Sequence, residues 1–253
     1  MRSIYFKELS LYFSSPLFYV IAAVFACVAG IYFCNAMAYV SLLSTMITQH
    51  PSFPGIRMDS VFIQPVFSDM VMLVVFFAPL IAMRFYADEK AAGTIELLFT
   101  YPVSDLKSLL GKYLAGWTVL TTVLLLTVPL MGLMGLLTRP NWGLVASSYL
   151  GLVFLGGAIL SMGALFSSLT KHQIIAASLT IGLTLIFWSV GWFAQVFPGG
   201  TAGTVLREIS LVNHVSPFLK GSISVKDIVF FIEFSLFFLV LAFEAIDSNR
   251  LRG

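Results

Sequence analysis

Charge is what this chain most lacks. Its 253 residues include only 14 Lys and Arg, 12 Asp and Glu and 3 His, so 10% are charged against 59% hydrophobic, with mean hydropathy +0.97. An ordinary soluble domain is about 25% charged. So few charges cannot cover the surface of a water-soluble body of this length, which excludes a soluble globular domain, a disordered chain and a coiled coil. The net charge is +2 and no basic run concentrates it, so no nucleic-acid partner is expected. Cysteine is scarce too. Cys27 and Cys34 lie seven apart in one apolar run; on a helix they stand about 10 Å apart along the axis, too far to bridge. They read as small hydrophobes buried in the core.

Catalytic signatures are missing as well. There is no G-x-x-x-x-G-K-[ST], because Gly111-Lys112 lacks the preceding glycine, so no P-loop binds ATP in this chain. H-E-x-x-H, G-x-S-x-G and C-x-x-C do not occur. His50, His172 and His214 fall in three separate loops with no carboxylate at ligand spacing, which reads as solvated or interfacial side chains rather than metal ligands. No metal and no cofactor is expected on the chain itself. An enzyme working inside the bilayer needs clustered ionisable residues within its spans, and the apolar runs hold almost none. The exception is Glu233. It lines a translocation path, pairs with Lys226 or Lys220, or hydrogen-bonds a neighbouring helix near the membrane interface.

What remains is long and apolar. No Asp, Glu, Lys or Arg occurs between Glu8 and Arg57, between Lys112 and Arg139, between Arg139 and Lys171, or between Lys171 and Arg207. A span needs about 20 apolar residues, and in lipid only a helix or a closed barrel satisfies every backbone group. No ten-residue alternation points to a barrel. The expected fold is all-α: one domain over 1–253 with six transmembrane helices near 16–38, 69–86, 106–137, 144–169, 174–197 and 227–245. Asp69 reads as the carboxylate opening the second span. With both termini in the cytosol, nine of the 14 Lys and Arg lie inside and five outside, which favours the N-in/C-in orientation. A basic start before an apolar run resembles a signal peptide, but no small-residue cleavage site follows. Before the first span, Ser3, Lys7, Ser10 and Ser14 recur at helical spacing among Ile4, Tyr5, Leu9, Leu11 and Tyr12. That pattern reads as an amphipathic interfacial helix over 2–13, separated from the span by Ser14-Ser15-Pro16.

The charges that do exist are unevenly placed. Arg84 to Lys112 holds 8 of the 26 charged residues in 29 positions. Here Asp88, Glu89 and Lys90 end one helix and Gly93 supplies a C-cap or hinge. Thr94 is a candidate N-cap for a short helix through Phe99, which Pro102 stops; Ser104 caps the third span. Ile95, Leu97, Leu98 and Phe99 are too apolar for a loop in water, so this helix wants a partner protein or the chain's own helix ends to cover it.

At this segment the sequence resembles a family. Glu89-Lys90-Ala91-Ala92-Gly93-Thr94-Ile95-Glu96-Leu97-Leu98, then Tyr101-Pro102-Val103-Ser104 and Gly111-Lys112, is similar to the E-x-x-x-G-T-x-E-x-L…P-[VI]-S…G-K pattern of ABC-2 type ABC-transporter permeases. Lys7-Glu8-Leu9, Ser14-Ser15-Pro16, Met83-Arg84 and the run Ile209-Ser210, Asn213-His214, Pro217-Phe218, Gly221, Lys226-Asp227 are nearest the branch of gliding-motility-associated and nitrous-oxide-reductase-maturation permeases. The resemblance implies a six-span permease subunit in the bacterial inner membrane, with both termini cytoplasmic. It implies a second permease, identical or homologous, and a separate cytosolic ATPase that binds ATP and Mg, so the chain itself is not an enzyme. Residues 88–102 correspond to the coupling segment received by the ATPase, made of Asp88, Glu89, Gly93, Thr94, Ile95, Glu96, Leu97 and Leu98, with Glu89, Thr94 and Glu96 as polar contacts or local caps and Leu97 and Leu98 as apolar contacts. Lys7 and Glu8 belong to the interfacial helix in membrane lipid. Residues 198–226 correspond to an outer-side cap, where an accessory protein could meet it. Members usually export their substrates. The other reading is a membrane scaffold or regulator that translocates nothing.

Overall fold

The computed structural model describes residues 2–49, 59–93, 104–137, 140–196 and 201–252. Among them every regular element is helical. The helices are α1 (Arg2–Ser14), α2 (Pro16–Gln49), a π-helical turn (Asp59–Ile63), α3 (Gln64–Ala82), α4 (Ala87–Ala91), α5 (Asp105–Leu125), α6 (Val128–Leu137), α7 (Trp142–Leu169), α8 (Gln173–Val196), α9 (Thr201–Ile209), α10 (Leu211–Leu219) and α11 (Val225–Arg252). Six helices or helix runs are long and apolar enough to cross a membrane.

The helix ends follow from local chemistry. Pro65 sits in the first turn of α3, where a missing N–H costs nothing. The helix therefore begins before Asp69, which lies exposed in its second turn and does not open it. The third span is broken rather than continuous: α5 ends at Leu125 and α6 starts at Val128. Pro129 removes a helical donor and crowds the carbonyl four residues back. Thr127 fills the gap, its hydroxyl donating to Leu124 O at 2.7 Å and lying 2.8 Å from the Tyr149 hydroxyl. Two glycines end helices in the left-handed region, Gly93 after α4 at φ 69° and Gly221 after α10 at φ 80°.

The core is organised around α7, which packs against α3, α5, α8, α10 and α11. Lipid is as apolar as leucine, so helices associate through close van der Waals approach rather than by escaping water. α7 suits that role because its buried positions include Ser147, Ser148, Gly151, Gly156, Gly157, Ser161, Gly163 and Ser167. A Cβ on Gly163 would stand 2.2 Å from Ala82 Cβ, and one on Gly151 2.6 Å from Phe218 Cβ. The α3 and α10 contacts with α7 are thus set by the missing side chains. α2 contributes one stripe, Phe18, Ala22, Phe25, Ala29 and Phe33, to the core. Cys27 and Cys34 fall on its other face and are exposed. Their expected burial is corrected by the helical period: neither is a multiple of a turn away from Phe25 and Ala29.

Candidate functional site

The polar segment builds a junction where α1, α4, α5, α7 and α8 meet. Its centre is Lys112, one turn or two into α5 and 2% exposed. The Lys112 ammonium donates to Glu8 Oε1 at 3.0 Å and to Glu89 Oε1 at 2.9 Å, and lies 5.3 Å from the centre of the Tyr86 ring. One buried cation thereby ties α1, α4 and α5. A lysine suits this position because its ammonium is a compact charge with three donors, able to serve two carboxylates approaching from different helices.

A second pair lies beside it. Arg84 Nε donates to Asp88 Oδ2 at 3.0 Å, while Nη1 donates to Ser15 Oγ at 2.9 Å and the guanidinium sits over the Tyr12 ring at 5.7 Å. Tyr12 donates in turn to Ile81 O at 2.9 Å. Burial, reinforced by the nearby Glu8 carboxylate, pushes the Tyr12 phenol above its ordinary value, so it stays protonated and keeps that bond. Asp88 also accepts from Gln173 at the start of α8, and Lys90 donates to Ser168 O at the end of α7. Glu8, Tyr12, Arg84, Asp88, Glu89 and Lys112, with Leu11, line a cleft of about 80 Å³.

Ser167 fixes where α4 begins. Its Oγ accepts from Tyr86 N at 2.9 Å and Ala87 N at 3.0 Å and donates to Met83 O at 3.0 Å. This is an N-cap supplied from another helix: α4 has no cap in its own sequence, and Ser167 satisfies donors that would otherwise be buried unpaired. Ser167→Ala should lower stability by about 1–2 kcal/mol, measured as a shift in the thermal midpoint of the detergent-purified protein. An unchanged midpoint would mean the α4 start is not held this way.

The arrangement pairs charges and offers no nucleophile beside a base. Its chemistry is that of a mechanical tie between helices. A family model described as an ABC-2 family transporter protein matches residues 59–243, from the π-helical turn before α3 into α11; it takes in Arg84, Asp88, Glu89 and Lys112 of the junction but not Glu8, Tyr12 or Ser15. The chain belongs to that family. A curated relative, ABC transporter G family member 20 of Dictyostelium discoideum, is 27% identical over 179 residues, 65% of this chain and 24% of the relative. The chain therefore spans about a quarter of the relative's length. With its six apolar helices, this ABC-2 chain is a multi-pass membrane protein.

The structure places the residues singled out from sequence as follows. Glu8 is buried in the junction, whereas Lys7 is exposed one position earlier on α1. Asp88 and Glu89 turn inward to partners within the chain, and Gly93 closes α4. Thr94, Ile95, Glu96, Leu97 and Leu98 lie outside the described residues. Ser104 stands at the N-cap of α5 with extended backbone, its carbonyl accepting from Lys107 N and Ser108 N rather than its hydroxyl capping the helix. Glu233 is exposed on α11, and Lys226 pairs with Glu208 at 2.7 Å instead.

Two features were missed. Lys112 carried a signal, since a lysine two turns inside an apolar helix demands a partner. His214 carried a fainter one, a histidine thirteen residues before an aspartate at a helix start. Its expected solvation is corrected: His214 is 4% exposed, its Nδ1 2.7 Å from Asp227 Oδ1 and its Nε2 3.0 Å from Glu208 O. No group of three metal-ligating side chains forms among the described residues.

Proposed function

We propose that this ABC-2 chain is the transmembrane permease subunit of an ABC transporter, driven by a separate cytosolic ATPase that holds the ATP and Mg. The observation that carries the reading is the Lys112 junction. α4 leads directly into residues 94–103, the segment whose motif resembles the coupling helix of ABC-2 permeases. A displacement there reaches α5 and α1 through Lys112, α7 through Ser167 and Ser168, and α8 through Gln173. A push on one short segment is thus delivered to several spans together, as alternating access requires.

In this reading Leu97, Leu98 and Ile95 enter the ATPase, Glu96 and Thr94 hold the segment's polar side, and Asp88 and Glu89 brace its root from within. Both termini lie in the cytosol, α1 lies in the lipid interface through Lys7, and the protein sits in a bacterial inner membrane beside a second permease. Its nearest branch is that of the gliding-motility and nitrous-oxide-reductase-maturation permeases, and its direction is export. Glu233 faces away from this chain's core, so a translocation path containing it is completed by the second permease.

The test is purification of the tagged chain from native membranes in mild detergent. A P-loop ATPase should come with it and should be lost in Leu97→Asp/Leu98→Asp. Recovery of the wild-type chain with no ATPase would favour the scaffold reading. Equal recovery with the double variant would remove the coupling role of residues 94–103.

A further inference from the structure

His214 lies far from the Lys112 junction, beside the opposite end of α7: Ser147 near the start of α7 donates to Phe218 O of α10 at 2.8 Å, whereas the junction uses Ser167. Twenty residues of helix separate those two serines, about 30 Å. At this end three elements converge on one imidazole. α9 offers the Glu208 carbonyl, α11 offers the Asp227 carboxylate, and α10 carries His214 itself. The ring stacks on Phe230, centroids 3.7 Å apart and planes 14° apart.

The two ring nitrogens face oxygens that can only accept, given an ionised Asp227. A neutral imidazole has one N–H and must turn a lone pair toward one of those oxygens. An imidazolium has two N–H donors and satisfies both, with the Asp227 contact becoming a charge-assisted bond. His214 is only 4% exposed, so a ring lone pair turned toward an acceptor oxygen there is costly.

We propose that His214 and Asp227 form a proton-binding dyad that locks the α9–α10 pair onto α11, held when the imidazole is protonated and released when it is not. The sign follows from the donors: the lock is present where the imidazole carries both protons, at lower pH, and is lost where it carries one. The other charged and titratable groups on the elements packed around the ring are paired elsewhere or exposed. Glu208 and Arg207 come from α9 and Lys220 ends α10. Lys226 is occupied by Glu208, whose carboxyl that hydrogen bond holds below the usual range. Glu233 stands exposed further along α11, and Asp69 is exposed on α3. α8 has no titratable side chain, and Tyr149 of α7 is bonded to Thr127.

What is released would open toward space already there. A cavity of about 340 Å³ adjoins the dyad, lined among others by Gly191, Arg207, Asn213 and Lys226. Ser210, at the hinge between α9 and α10, is fully buried with its hydroxyl unpartnered and close against Gly191. The lock therefore holds a segment whose neighbouring contacts are incomplete. The inference does not depend on the transport reading above.

The experiment uses the full chain in lipid nanodiscs. The sequence has 3 His, so His50→Gln/His172→Gln leaves His214 as the sole histidine for 15N-histidine NMR. Both ring nitrogens should be protonated at the acid end of a pH series, and in Asp227→Asn the doubly protonated ring should give way at lower pH than in the wild type. In parallel, hydrogen exchange across residues 201–219, corrected for intrinsic rates and referenced to α7, should quicken by about tenfold or more between about pH 5.5 and 8.5. His214→Gln should abolish that response. A single neutral tautomer throughout, or exchange that does not change with pH, overturns the proposal. So does an unaltered response in His214→Gln; where that variant fails to fold, the NMR titration decides.

Discussion

Lys112→Met should cost this ABC-2 chain about 3 kcal/mol of stability, the lower end for removing one partner of a buried pair. The lower end applies because Glu8 and Glu89 keep 11% and 20% side-chain exposure, so water relieves part of their desolvation once the cation is gone. The triple variant Glu8→Gln/Lys112→Met/Glu89→Gln should recover most of the loss, because it removes the charges left unpaired. Lys112→Arg should not substitute fully, as a planar fork cannot place one point charge between two carboxylates from different helices. Thermal midpoints of the detergent-purified proteins, taken as a cycle, read these differences. A Lys112→Met protein as stable as wild type would show that the junction does not hold α1, α4 and α5 together.

Gly163→Ala should destabilise the bundle by about 2 kcal/mol, within the range for overpacking a tight core. The added methyl would meet Ala82 Cβ at 2.2 Å, and that Cβ is fixed to the α3 backbone, so α3 and α7 must separate. Gly156→Ala is the instructive contrast. Its methyl would come even closer, 2.1 Å, but to Leu120 Cδ2, the free end of a side chain that changes rotamer. That variant should cost under about 1 kcal/mol. The same assay compares the two, and equal losses would mean that α7 is not seated on α3 by backbone approach.

How legible the molecule was depended on which kind of force placed each residue. The spans were legible because lipid enforces one rule, apolar side chains on hydrogen-bonded helices. The break at Thr127 was also written locally, in Pro129, yet the unbroken apolar run hid it. Small residues spaced by four on α7, such as Gly163 and Ser167, permit close packing without naming the neighbour; that Gly163 meets Ala82 and Gly151 meets Phe218 is a matter of which helices adjoin. The junction was half legible. Its acids and Gly93 stood out as the dense polar segment, and the motif there pointed to the family. Its central cation did not, because Glu8 and Lys112 are 104 residues apart. His214 was least legible of all, since a histidine in a short polar stretch looks alike whether solvated or clamped.

By itself, then, the sequence determined the class of this protein: an all-helical, six-span membrane chain of the ABC-2 type, its charges gathered where polar work is done. Those conclusions rest on solvation and local geometry, which act on each residue wherever the rest of the chain lies. Only the tertiary structure decided which charges meet. Lys112 joins Glu8 to Glu89, Ser167 caps a helix it does not belong to, and His214 closes on Asp227. Hydrogen bonds form only at about 3 Å and these ion pairs are made by direct contact, and the helices brought within that distance are chosen by packing.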